Sequence, residues 1–158
     1  MTNPTRLVLD TMIMEGIALA GLLKANKADM AEYQNLLQKL IRKGHTVILS
    51  KRLVSQYLSK MEEKGIPAEY FLRFLENHLE ANKQVKRISD GLAQQKQVKV
   101  DLPPEDEFLA QIALACNPND FDVFIISIEE GIYRKDRQLQ RKHKIRALTP
   151  SDYISQHC

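Results

Sequence analysis

Three short stretches constrain the fold more than anything else in the chain: "RLVL" at 6–9, "HTVILS" at 45–50 and "FDVFIIS" at 121–127. Successive side chains of a strand point to opposite faces, so consecutive apolar residues need cover on both sides. A strand of that kind belongs inside a sheet sandwiched by helices. The segments between these stretches carry apolar residues at helical spacing. Strands alternating with helices predict a three-layer α/β/α sandwich with a mainly parallel central sheet.

The helical segments bring their own boundary signals. Residues 12–24 follow the first strand, and 29–42 form a second helix with Asp29 as N-cap and Gly44 as its stop. Ser50 caps a helix running to 64, with the apolar stripe Leu53, Val54, Tyr57, Leu58 and Met61, and Pro67 opens the next. Residues 83–100 are polar and weakly periodic, with room for one or two short strands. Pro103 and Pro104 open a helix whose first turn holds Glu105, Asp106 and Glu107, where the helix dipole favours acids. A basic helix at 137–142, a strand "KIRAL" and a capped helix from "TPSDYISQ" follow. No repeat or linker divides these elements, so a single domain over 1–158 is expected.

Composition narrows the class. A chain of 158 residues with 44% hydrophobic content supports one packed core. The net charge of +3 is mild, so partners must be read from where the charges sit. Cys116 continues the apolar stripe of Ile112 and Ala113 and reads as core, and Cys158 is far from it. Neither has metal-type or redox-type spacing, which predicts a reducing compartment without a disulfide framework. Asp10 and Glu15 interrupt the apolar stretch before "IALAGLL", and no run reaches membrane-spanning length. A soluble cytoplasmic protein is expected.

In open parallel sheets, ligands bind beyond the carboxyl ends of the strands. Asp10 stands just after the first strand. Ser50 and then Gln56 come after the second, and Ser127 and Glu129 after the last of the three. Asp106 shares a helix face with Leu109 and Ala113, which should pack on the sheet, so it points toward the strand ends. Separate segments therefore bring acids to one edge. Clustered carboxylates repel one another, and a hard divalent cation relieves them. Mg²⁺ and Mn²⁺ take oxygen ligands, activate water and stabilise charge on a phosphate undergoing hydrolysis.

At these residues the chain resembles the PIN-domain ribonucleases, many of which are toxins of toxin–antitoxin pairs. The resemblance runs from "LVLDT" through "ILSKRLVSQYL" and "PPEDEFLAQIALA" to "FIISIEEG" and "IRALTPSDYI". It implies Asp10, Asp106 and Glu129 as ligands of Mg²⁺ or Mn²⁺, with Gln56 completing the catalytic set. RNA is then the substrate, a small antitoxin the partner, and a homodimer the assembly. The sequence also departs from the family. Met12 stands where an Asn follows Asp-Thr, Gln56 where a second acid falls, and Glu129 where an Asp is usual. Asp136 in "KDRQL" competes with Glu129 as the last acid. These departures leave a second reading open: a PIN-like domain that binds RNA or a protein without cleavage.

Each residue also has a plainer role. Asp10 suits a strand-end turn, Asp106 a helix N-terminus, Glu129 and Glu130 a solvated loop, Gln56 a surface amide and Glu15 a wet helix face. The basic run at 134–146 includes Arg134, Lys135, Arg137 and Arg141. It suits either an RNA backbone, held by sequence-blind phosphate contacts, or a solvated helix face.

Overall fold

A computed structural model describes residues 3–23 and 28–158, with the backbone alone at 22, 23, 28 and 29. Five strands form one parallel sheet: β1 (Thr5–Leu9), β2 (Thr46–Leu49), β3 (Val85–Arg87), β4 (Asp122–Ile126) and β5 (Ile145–Leu148). Their order across the sheet is β3-β2-β1-β4-β5. The helices are α1 (Thr11–Leu23), α2 (Ala28–Lys43), α3 (Lys51–Glu63), α4 (Ala68–Phe74), α5 (Asp90–Gln94), α6 (Pro104–Leu114), α7 (Glu130–Tyr133), α8 (Asp136–His143) and α9 (Pro150–His157). A π-helical stretch, Leu75–Glu80, continues α4.

The expected three-layer sandwich is the observed one, and strand order explains why helices lie on both faces. From β1 the chain steps one way to β2 and β3, then crosses to β4 and steps the other way to β5. Parallel crossovers are almost always right-handed, so reversing direction moves the connecting helices to the opposite face. Accordingly α1 packs on α2, α3 and α4, while α6 packs on α5, β1 and β4. The reversal lies between β1 and β4, and the crevice beyond their carboxyl ends is where such sheets bind ligands.

Most boundary signals act as read. Gly44 and Gly65 adopt φ of +68° and +74°, left-handed conformations that glycine enters without a Cβ penalty. Ser50 Oγ accepts from Leu53 N at 3.1 Å, and Thr149 Oγ1 accepts from Asp152 N at 3.2 Å. The second helix already begins at Ala28; the Asp29 side chain expected to cap it lies outside the described residues, as does Lys24. The polar stretch at 83–100 resolves into the edge strand β3 and the short helix α5. β3 was hard to see because Lys86 and Arg87 are exposed, as charged residues on an edge commonly are. Gln84 anchors it, donating from Nε2 to Leu40 O at 3.1 Å and His45 O at 3.0 Å while only 4% exposed.

Leu7, Val8, Leu9, Val47, Ile48, Leu49, Ile125 and Ile126 are buried on both faces of the sheet, as their uninterrupted apolar runs require. Cys116 lies in the same core, its Sγ donating to Ile112 O at 3.1 Å, and burial pushes its thiol up to about 12. Buried Tyr57 is tied to the end of β1, its hydroxyl donating to Leu9 O. Burial first, and Asp10 second, hold this phenol well above its ordinary value, so it stays a neutral donor. Tyr57→Phe leaves that carbonyl short of a donor. The expected cost is about 1–2 kcal/mol, read as a fall of roughly 2–8 °C in thermal midpoint. An unchanged midpoint would show that the hydroxyl contributes nothing.

Candidate metal centre

Register places the first acid. Leu9 pairs with Ile126, so Asp10 and Ser127 leave neighbouring strands side by side at the point where the chain reverses direction. Asp10 N donates to Ile126 O at 3.0 Å, extending the ladder by one bond. The Asp10 carboxylate is then fixed on both oxygens. Oδ1 accepts from Thr11 N at 2.6 Å and Thr11 Oγ1 at 3.3 Å, and Oδ2 accepts from Ser127 Oγ at 2.7 Å. The same Ser127 Oγ accepts from Glu129 N at 3.0 Å. One fully buried hydroxyl thus orients Asp10 and the backbone that carries Glu129.

Asp106 arrives from the other layer. It sits in the first turn of α6, 2% exposed, while Glu105 and Glu107 on either side face outward. The turn after β4 closes over it: a Cβ on Gly131 would lie 3.1 Å from Asp106 Oδ2, so the missing side chain is what lets the loop approach. Among the described residues, none donates a hydrogen bond to the Asp106 carboxylate. Its oxygen lone pairs are therefore open to a ligand or to solvent. Asp10, Asp106 and Glu129 each offer an oxygen, and these atoms lie within 4.8 Å of one another.

Crowding shows in the proton affinities. Asp106 is raised above the ordinary carboxylate value, first by burial and then by Asp10 and Glu105. Glu129 is raised by burial and by Asp10, Asp106 and Glu105, with Lys60 pulling the other way. Asp10 and Glu129 line an open cleft of about 500 Å³ whose other walls include Met12, Leu109 and the polar face of α3. That face presents Arg52, Gln56 and Lys60. Hard divalent cations take such oxygen ligands and keep waters in their remaining positions, so the donor set fits Mg²⁺ or Mn²⁺. The Gln56 amide adds an oxygen to the wall but no charge.

No protein-family model matches this sequence. Nor does any curated protein.

The structure sorts the remaining sequence-derived candidates. Asp136 is not part of the cluster; it accepts from Arg146 Nε at 2.8 Å, Arg146 Nη2 at 2.9 Å and Ala147 N at 2.9 Å. It ties α8 to β5, and Glu129 holds the third position. Glu15 is not a wet surface acid, being 14% exposed and 3.8 Å from Lys64 Nζ. Arg134, Lys135, Arg137 and Arg141 do not line the cleft. Arg134 pairs with Glu130 at 3.1 Å, and the other three make no ion pair among the described residues.

Two contributions go beyond what local sequence carries. Ser127 stands after the third apolar strand, but its hydrogen bonds to two acidic segments depend on strand pairing across 117 residues. On the polar face of α3 the family resemblance points to Gln56 alone, with neither Arg52 nor Lys60 beside it. Yet Arg52, Gln56 and Lys60 recur at every fourth residue, and that regularity was a readable sign of a second functional face.

Proposed function

We propose that the chain is a metal-dependent ribonuclease of the PIN-domain type, hydrolysing RNA phosphodiester bonds. The convergence of Asp10, Asp106 and Glu129 at the sheet's switch point carries this reading. When bound, Mg²⁺ or Mn²⁺ supplies positive charge and Lewis acidity next to a phosphate. Asp10 and Asp106 hold the ion from fixed positions, with Glu129 closing the set from the loop after β4. Arg52 and Lys60 on the cleft wall bind phosphates flanking the scissile one, and Gln56 orients the substrate or a water by its amide. Met12, 40% exposed beside Asp10, gives a base an apolar surface. A small antitoxin and a second copy of the chain belong to the same reading as partners. Among the described residues no helix is long and apolar enough to cross a membrane, and the proposed setting is the cytoplasm.

One observation favours a rival within the same fold. A neutral Gln56 lines the cleft where a further acid would strengthen the ion's hold, as expected of a domain that binds RNA without cutting it. Calorimetric titration with Mn²⁺ and Mg²⁺, paired with cleavage of single-stranded RNA, separates the two. Wild type is expected to bind Mn²⁺ and cleave, and Gln56→Glu to bind about tenfold more tightly through the added charge. Silence in wild type with binding restored in Gln56→Glu would establish the non-cleaving reading. Silence in both would make the cluster structural.

A further inference from the structure

The opposite end of the sheet carries a second charged feature, with the reverse sign. The turn before β4 and the end of α8 before β5 form one wall of an open cleft of about 530 Å³. The other wall comes from the segment after α5, which the sequence pattern alone left unplaced. Lys96, Lys99, Lys142 and Lys144 line this cleft together with the amides of Gln97 and Asn119, and no acid is among its lining residues. None of the four lysines forms an ion pair among the described residues. The whole chain has a net charge of only +3, so four positive charges here are a local concentration and not a general excess.

The crowding has been built in with some care. His143 Nε2 accepts from Lys99 N at 2.9 Å, and Lys142 Nζ donates to Lys99 O at 3.0 Å, fixing the two walls against each other. Lys144 Nζ donates to Asn119 Oδ1 at 3.1 Å, and Lys144 occupies a left-handed backbone conformation at φ +61°. Burial, Lys99 and Lys142 all depress the His143 pKa, as expected where positive charges meet. An ammonium has three donors, so each of these lysines keeps at least one for a ligand.

We propose that this lysine cleft binds the phosphodiester backbone of a single-stranded nucleic acid. Unpaired ammonium groups repel one another until a polyanion neutralises them, and a nucleic acid brings one negative charge per nucleotide. Amides beside the lysines suit sugar and phosphate oxygens, which position a strand without reading its sequence. The cleft is at the amino ends of β4 and β5, and the acidic cluster follows the carboxyl ends of β1 and β4. The five residues of β4 put about 17 Å of strand between them. The cleft shares no residue with the metal centre, so its binding does not depend on the proposed cleavage.

Fluorescence anisotropy with a labelled mixed-sequence oligoribonucleotide in EDTA tests it apart from any metal chemistry. Wild type and Lys96→Gln/Lys99→Gln are titrated over a range of salt. The double variant is expected to reduce the slope of log K against log salt by about 1.4, two contacts at ~0.7 each. Affinity at about 0.1 M salt should fall by about twenty-fold. Tripolyphosphate, as a competitor, should displace the oligonucleotide only at far higher concentration. Unchanged affinity and slope in a folded double variant would overturn the proposal. Tripolyphosphate competing as well as unlabelled oligonucleotide would also overturn it, in favour of a small-phosphate site.

Discussion

Asp10→Asn is expected to lower Mn²⁺ affinity by at least about 100-fold, since even residues that merely orient a ligand are worth 10–100-fold. Metal-dependent RNA cleavage should fall with it, while the fold survives. The reason for survival is geometric. The Asn oxygen can keep both bonds from Thr11, and its amide can donate to Ser127 Oγ where Asp10 Oδ2 now accepts. Removing one of three crowded negative charges also relieves repulsion that Asp106 and Glu129 feel. The variant therefore separates charge from shape. Calorimetry reads the binding, and circular dichroism with thermal unfolding reads the fold. A folded Asp10→Asn chain that still bound Mn²⁺ as tightly as wild type would remove Asp10 from the centre and leave the proposed chemistry without its anchor.

How far the sequence led depends on the range over which each signal acts. β1, β2 and β4 were legible because a strand buried on both faces must be apolar throughout, a property of a few adjacent residues. The caps at Ser50 and Thr149 and the stop at Gly44 are equally local. Asp106 was placed correctly by helical phase, since Leu109 and Ala113 fix its face. Strand order is different. Nothing near Val85 states that β3 pairs with β2, and the charges of Lys86 and Arg87 conceal it as a strand. For the same reason the lysine cleft could not be foreseen, because it needs residues 96–99 set against 142–144. The choice between Glu129 and Asp136 also waited on tertiary structure. Both follow a strand-like run, and only the Arg146 fork and the Ala147 amide show that Asp136 is already engaged.

Asp106→Asn should stabilise the metal-free chain near neutral pH and destabilise the Mn²⁺-loaded one, and the sign follows from proton binding. Asp106 and Glu129 have folded-state pKa values above their ordinary 3.8 and 4.5. Between the ordinary and raised values the folded chain binds more protons than the unfolded one, so stability falls as pH rises. Their contribution is fully present below the ordinary values and is lost as pH climbs through the raised ones. His45, His143 and His157 act oppositely, because their depressed values favour folding as pH rises through the region below 6.5. The difference between wild type and Asp106→Asn cancels the histidines and leaves the acidic cluster, since losing the Asp106 charge also relaxes the raised Glu129. In EDTA, the variant's advantage should shrink as pH is lowered to about 3.5, where the unfolded Asp is also largely protonated. At neutral pH, Mn²⁺ at 100 times its Kd adds about 2.7 kcal/mol to wild type. That is a rise of roughly 5–11 °C for a chain of this size. The variant, short of a ligand, should gain far less, so the order of stabilities inverts when the ion is added. Equal shifts with Mn²⁺ in both proteins would place the ion elsewhere. A variant no more stable than wild type in EDTA at neutral pH would mean that the buried carboxylate carries no strain for a cation to relieve.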